Sequence, residues 1–418
     1  MKRIVCIYVG FFLLPAWALG GDGFKLNLTG ARYLGMGYAG VGLALDGSAI
    51  YINPGALGFL KSNSFQLGTS FVRPSTTFSA QTQGGQNLFD PEDMEENTIT
   101  PISLFANWRR HDSRLTFGIG VYNPFGYDNQ WPPTWQGKLI AQESLLNSLY
   151  IQPTVGYRIN DQIGIGAGIV YGFGNFLTRR ALDINGRNNT EGWLELAGRG
   201  NGVGYNIGVL FKFGIRTTGG LNYRSGMRID VEEGEVNFNV PPSLQSEFSK
   251  DTTFSTDFTL PGTLGMGLSY KFLDNLVFAL DVDYTFWSVY DEVQLNYELP
   301  EEELNPRIPT NLVKNFKNTF SIRLGGEYTI QNRYFLRFGA LFSQSPVQDE
   351  YVNPEFPDSD RIGVTAGAGI LLSNSLMIDL AYKYDFTGES FGELRERVFA
   401  GKYESTTNIL GLSFSYNF

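Results

Sequence analysis

The sequence predicts an all-β protein: a 14-stranded antiparallel transmembrane β-barrel with a partly helical N-terminal hatch inside its lumen. Three observations carry that prediction. The 418-residue chain is 42% hydrophobic and 15% aromatic, holds 50 glycines, and is only 18% charged, whereas soluble domains average about 25% charged. Segment after segment alternates apolar and polar side chains with period two, as a half-buried strand requires. Short turns and long polar loops alternate between those segments, the asymmetry of a barrel with short periplasmic turns and long extracellular loops.

The chain opens with Lys2 and Arg3, an apolar run from Ile4 to Leu19, and the small-x-small pattern Ala16-Trp17-Ala18. That combination reads as a secretory signal removed on export, too short and wrongly flanked for a membrane span. Residues 1–20 are therefore assigned to the cleaved signal, 21–62 to the hatch and 63–418 to the barrel. The one cysteine, Cys6, falls in the signal, which excludes disulfides, thiolate nucleophiles and cysteine-held metals from the exported chain. Losing Lys2 and Arg3 moves the net charge from −10 to −12, with 30 basic against 42 acidic residues. An acidic chain repels nucleic acid.

Residues 21–62 lack clean alternation, and the stretch from Gly30 to Asp46 is rich in small residues. A compact, partly helical filling is the natural reading, because a barrel of this size leaves an interior to fill. Candidate strands follow near 64–75, 99–109, 114–122, 148–159, 162–174, 203–215, 217–229, 263–272, 275–287, 319–330, 333–343, 361–371, 375–386 and 407–418. The last is the clearest, with Leu410, Leu412, Phe414, Tyr416 and Phe418 on one face and Gly411, Ser413, Ser415 and Asn417 on the other. Elsewhere Leu280 and Tyr284 oppose Asp281 and Asp283, Ile322 and Leu324 oppose Arg323 and Glu327, and Leu380 and Tyr382 oppose Asp379 and Lys383. So many continuous apolar faces exceed one small soluble core, so lipid outside and a polar interior fit better. Asn160-Asp161, Asp274-Asn275 and Gln331-Asn332 read as tight turns, and 76–98, 123–147, 178–202, 230–262, 288–318, 344–360 and 387–406 as long loops.

Several apparent motifs carry no chemistry. Gly35-Met36-Gly37-Tyr38-Ala39-Gly40 spells a dinucleotide fingerprint but follows no strand and has no acidic partner in a βαβ unit. The sole histidine, His111, sits in the turn Arg109–Ser113, which leaves no base for a serine or aspartate hydrolase. The acidic clusters at 92–96 and 301–303 read as solvated loop charge rather than metal sites. No catalytic residue, metal site or cofactor is assigned.

The spaced blocks Gly23–Asn27, Asp46–Leu57, Tyr122–Gly126, Trp131-Pro132, Trp135–Gly137, Leu260–Ser288, Ser345–Val347 and Pro357–Arg361 together resemble the FadL family of outer-membrane transporters for long-chain fatty acids and other hydrophobic compounds. The resemblance extends over nearly the whole exported chain. It departs at Gly55, where the family's hatch motif Asn-Pro-Ala has alanine. It implies a monomeric barrel in the bacterial outer membrane, plugged by the hatch and surrounded by outer-membrane lipid. A hydrophobic ligand (fatty acid, alkane or aromatic hydrocarbon) would be captured by the loops and released sideways through a gap at a kinked strand. The alternatives are a general or polar-solute porin, and a structural barrel acting through its acidic loops.

Candidate site residues follow. Phe125, Trp131 and Trp135, with Leu139, Ile140, Leu145 and Leu146, form the candidate capture groove; their plain reading is an aromatic girdle or loop packing. Phe24 is a candidate ligand contact near the exported N-terminus. Asn53, Pro54 and Gly55 form the candidate hatch gate, or simply a turn. Gly118 and Gly120 mark a candidate kink in the third strand, since glycine tolerates bulges. Arg323 and Arg337 face the lumen, either to meet a ligand carboxylate or to pair with Glu327 and Asp283.

Overall fold

The computed structural model describes residues 22–81, 86–183, 192–242, 253–299, 305, 307–393 and 400–418. The assigned signal peptide, its Cys6, and the acidic run 301–303 lie outside them. Fourteen antiparallel strands close into a barrel: β1 Ser64–Ala80, β2 Ile102–Trp108, β3 in two pieces (Leu115–Tyr122 and Gly126–Gln130), β4 Glu143–Arg158, β5 Ile163–Leu182, β6 Gly192–Lys212, β7 in two pieces (Thr217–Arg224 and Met227–Asn239), β8 in two pieces (Thr253–Leu260 and Thr263–Leu273), β9 Leu276–Thr285, β10 Thr319–Ile330, β11 Tyr334–Ser343, β12 Arg361–Leu371, β13 Leu376–Glu393 and β14 Ala400–Asn417. Closure comes from β1 on β14, in unbroken register from Ser64↔Asn417 to Ala80↔Gly401.

The alternation read from the sequence is the inside–outside pattern of the wall. On β10, Leu324 is 49% exposed while its neighbour Arg323 is 5% exposed. Asp281, Asp283, Glu327, Asp379, Lys383 and Asp385 are likewise buried, and Leu280, Tyr284, Leu380, Tyr382, Leu410, Phe414 and Tyr416 are exposed to the outside. Apart from one interval at β3, the closed ladder leaves no unpaired edge facing lipid, the one way strands can span a bilayer.

Several expected loops are shorter than predicted: β1 runs on to Ala80, β4 starts at Glu143, β13 runs to Glu393 and β14 starts at Ala400, and the same holds between β5 and β6 and between β7 and β8. The regions 178–202 and 230–262 contain upper parts of β5 to β8, running to Leu182, from Gly192, to Asn239 and from Thr253. Here the outward face carries Arg228, which pairs with Asp230 at 2.8 Å and Asp257 at 3.1 Å. Those strands therefore stand above the lipid. Their charged outer face hides them from a search for apolar alternation, although Val231, Val236, Phe254 and Phe258 are buried on the inner one.

Residues 22–60 fill the lumen. Two short helices, α1 (Ala31–Gly35) and α2 (Ala49–Ile52), precede a 3₁₀ turn, Pro54–Phe59. Short helices have little stability of their own, so the wall holds them. Asp281 accepts the Gly40 and Val41 backbone N–H groups at 2.6 and 2.8 Å. Glu327 accepts Arg32 Nε at 2.9 Å, Arg32 Nη2 at 2.7 Å and, from the wall, Arg337 Nε at 2.7 Å. Contact is close enough that a Cβ on Gly220 would lie 2.0 Å from the Val41 carbonyl oxygen.

Candidate functional site: the break in strand β3

β3 does not run straight through. Its lower piece pairs Tyr122 with Tyr150 of β4, and its upper piece pairs Gly126 with Asn147. Residues 123–125 therefore face only residues 148 and 149, a one-residue bulge that reverses which face each side chain takes. Below the break, odd-numbered Phe117 and Ile119 point to lipid; above it, odd-numbered Phe125 is buried inside. The expected kink at Gly118 or Gly120 is thus displaced upward. β3 is regular through both glycines, and a Cβ there would meet Ile50 of α2 at 2.8 and 3.2 Å, so they make room for the hatch instead.

The N-terminal peptide docks onto this break. Leu26 N–H donates to Pro124 O at 2.8 Å, and Gly126 N–H donates to Phe24 O at 2.9 Å, forming the antiparallel bridge Lys25↔Phe125. Ser148 clasps the other side, its hydroxyl accepting from Phe125 N–H at 3.0 Å and donating to Phe125 O at 2.7 Å. Gly23 has φ 58°, and a Cβ there would lie 2.8 Å from the Trp287 ring, so only glycine suits this approach. Phe24 then reaches an aromatic nest: Trp287 at 4.7 Å, Tyr290 at 5.4 Å, Tyr127 at 5.6 Å, Phe356 at 5.9 Å and Phe125 at 6.0 Å between centroids.

The bulge also interrupts the wall. β2 pairs with β3 only up to Ser103↔Tyr122, and among the described residues the upper piece of β3 pairs with β4 alone. The interval is bounded by Val72 and Ile99 on one flank and by Gly126–Gln130 on the other. It is closed above by Met94 N–H to Thr76 O (2.8 Å) and Glu95 N–H to Gln130 O (2.7 Å). A cavity of about 150 Å³ lies behind it, lined by both flanks and by Phe24, Phe356, Lys383 and Arg361. Lys25 separates it from an inner polar chamber of about 40 Å³ containing Arg224, Arg323 and Asp283.

The charges are unevenly matched. Arg323 pairs with Asp283 at 2.7 Å and approaches Asp22 at 3.7 Å, and Lys25 approaches Asp283 at 3.7 Å. Arg337 pairs with Glu327 and Asp379, each at 2.7 Å. Both predicted arginines are therefore engaged with carboxylates of the chain. Arg224 is not: buried, it donates to Tyr122 Oη (2.8 Å), Gln152 Oε1 (3.2 Å) and Tyr51 O (2.9 Å), with no carboxylate in ion-pair range among the described residues. Its sequence context, Asn222-Tyr223-Arg224, gave no sign of this, because the position depends on the turn of β7.

The other predicted residues divide. Phe24, Phe125 and Leu146 join one buried cluster with Trp287 and Phe356. Trp131 and Trp135 belong to it at a distance, stacked on each other at 4.2 Å beneath the loops, with their Nε1 groups on Pro354 O and Ala141 O. Leu139 and Ile140 are half-buried in the turn before β4, and Leu145, one step from Leu146, takes the opposite face of the strand. Asn53 donates to Val41 O (2.8 Å) and Val209 O (3.0 Å) and accepts Gly55 N–H (3.0 Å), stapling Pro54 and Gly55 between the hatch and β6. His111 is an exposed turn residue beside Asp112. Alternation could not reveal Trp287, Tyr290, Phe316 and Phe356, because they come from irregular loop segments.

The family described as "Outer membrane protein transport protein (OMPP1/FadL/TodX)" matches residues 13–418. The long-chain fatty acid transport protein of Escherichia coli K12 is 21% identical, with 100% of this chain and 98% of that protein covered. Outer membrane protein P1 of Haemophilus influenzae is 20% identical, covering 89% and 87%. In fold, a FadL homologue from Pseudomonas aeruginosa superposes with TM-score 0.82 at 18% identity, covering 95% and 100%. The toluene transporter TodX of P. putida gives 0.70 at 15%, covering 96% and 99%. Barrel, luminal hatch and family match agree, and the chain belongs to the outer membrane protein transport family (OMPP1/FadL/TodX), a β-barrel of the bacterial outer membrane.

Proposed function

We propose that the protein passes hydrophobic small molecules, long-chain fatty acids foremost, from the outside into the bilayer through its own wall. The observation that carries this reading is the break in β3. It opens the aromatic cavity toward lipid at the level where β2 and β3 part, while residues 22–60 fill the axial route. A ligand leaving water needs an apolar groove for its tail and a few polar groups for its head. Phe24, Tyr127 and Phe356 supply the first, and Lys383, Arg361 and the carboxylate-free Arg224 supply the second.

In this reading the tryptophan-stacked loop cap around Trp131 and Trp135 is the entry side, with Leu139, Ile140 and Leu146 adding apolar surface. Phe24 is the movable stopper of the cavity. Asn53-Pro54-Gly55 anchors the hatch so that it does not open axially. Arg323 and Arg337 act through their carboxylates rather than on ligand. The chain works as a monomer after losing residues 1–20, needs no cofactor, and performs no bond chemistry. The polar-solute porin alternative requires an axial water route, which the hatch occupies. An aromatic hydrocarbon is the second reading, favoured by the cavity of about 150 Å³, a size that accommodates a single benzene-like ring.

The test is uptake of radiolabelled oleate and toluene by a strain lacking its own transporters, with and without this protein. Oleate uptake that depends on the protein, and falls on Arg224→Gln, supports the acid; toluene alone supports the hydrocarbon. Uptake of small sugars without either sinks both.

A further inference from the structure

Where β3 leaves the ladder, one side chain stands in for the missing backbone. After Ser103↔Tyr122 the next partner of Ile102 would be the backbone of residue 123. Instead the Ile102 N–H donates to Asn123 Oδ1 at 3.0 Å. The same amide donates through Nδ2 to Ser148 O of β4 at 2.6 Å and approaches Asn147 Oδ1 at 3.4 Å. One amide thus ties both neighbouring strands, β2 on one side and β4 on the other, across the point where β3 turns inward. A primary amide is the shortest side chain offering an acceptor and two donors at once. Pro124 follows, which brings no N–H to be orphaned and holds Asn123 extended.

We propose that Asn123 is a positioning residue that sets the lower margin of the wall gap, and so selects ligands by cross-section. This rests on the sideways route proposed above. Within a bilayer an unpaired Ile102 N–H has no water to turn to. Without the tie, β2 and β3 part further down from Ser103↔Tyr122 and the gap lengthens. With it, the passage admits a slender chain and resists a broad ring system.

The experiment measures uptake of labelled hexadecane and labelled pyrene, both uncharged, by cells expressing the full-length protein. Folding of each variant is checked by heat-modifiable migration. The protein with Asn123 intact should favour hexadecane over pyrene. Asn123→Ala should cut that preference roughly tenfold, on the scale of one or two net hydrogen bonds. Asn123→Asp keeps the acceptor for Ile102 but loses the donor to Ser148 O, so it should keep only part of the preference. An unchanged preference in folded Asn123→Ala overturns the proposal, as does an Asn123→Asp variant that loses it equally. If expression adds no hydrophobe uptake at all, the sideways route itself falls, an outcome distinct from either.

Discussion

Glu327→Gln should loosen the hatch. The carboxylate joins two guanidiniums, Arg32 of α1 and Arg337 of β11, through three hydrogen bonds of 2.7–2.9 Å. With Asp379 on Arg337 the group contains two cations and two anions. Glutamine keeps one acceptor oxygen, turns an N–H₂ toward a guanidinium, and leaves a buried positive charge unmatched. Breaking a buried pair from one side costs about 3–5 kcal/mol. That cost falls on the docked state, because a displaced Arg32 can reach water. At 1.4 kcal/mol per decade the displaced fraction should rise by roughly two to three and a half decades. Conductance across planar bilayers reads this directly: brief openings absent from the unmodified protein should appear. Arg32→Met combined with Glu327→Met restores charge parity around Arg337 and Asp379, so the double variant should be quieter than Glu327→Gln. A Glu327→Gln trace as silent as the unmodified protein, or a double variant noisier than it, would refute the pinning role.

Phe24→Ala removes a buried ring from the centre of the nest and should destabilise the folded barrel by about 3–5 kcal/mol; thermal unfolding and oleate affinity should fall together. Gly220→Val should fail to seat the hatch, because its Cβ would meet the Val41 carbonyl at 2.0 Å, whereas the Cβ of outward-facing Gly219→Ala meets no hatch atom, its neighbours being the Phe213 ring at 3.0 Å and Gly267 O at 3.6 Å. Conductance and heat-modifiable migration of the two variants compare them. Asp358, in the loop before β12, has its carboxyl pushed up to about 6 chiefly by burial, against the pull of Arg361, Ser345 Oγ and the Gly23 N–H it accepts. A folded-state value above the free one of 3.8 means that folding takes up a proton, so the folded loop around Asp358 is held most firmly below pH 4. The hold weakens as pH rises through 6 and is then flat, a change of no more than about 3 kcal/mol. Trp287 fluorescence should follow that transition, and Asp358→Asn should abolish it.

The wall was legible because lipid imposes a rule on every second side chain. Arg323 and Glu327 could be assigned to the lumen from Ile322 and Leu324 alone. Above the lipid the rule lapses: Arg228 and Asp257 replace rings on the outer face, and strands there read as loops. The hatch was visible only as a failure of alternation. Its geometry depends on contacts such as Asp281 with Gly40 and Val41, which no local pattern encodes. Phe125 shows the limit most clearly. Its inward direction comes from one extra residue at 123–125, and a counting argument carried straight through β3 would have sent it into lipid.

The hatch also constrains the order in which the molecule can be assembled. Ala31 N–H donates to Ser413 Oγ at 2.7 Å, across 382 residues, and Gly35 O accepts from Thr365 Oγ1 at 3.0 Å. Residues 31 and 35 therefore bind strands near the other end of the chain. Contacts so distant in sequence form late and slowly. α1 lies mainly against β12 and β13 and reaches β14 through Ala31, so the plug seats fully only when the last three strands are in place and the seam can close. A chain stopped short of β14 would leave an open sheet and a plug lacking the Ser413 anchor, so an incomplete copy has neither a closed wall nor a fully seated plug.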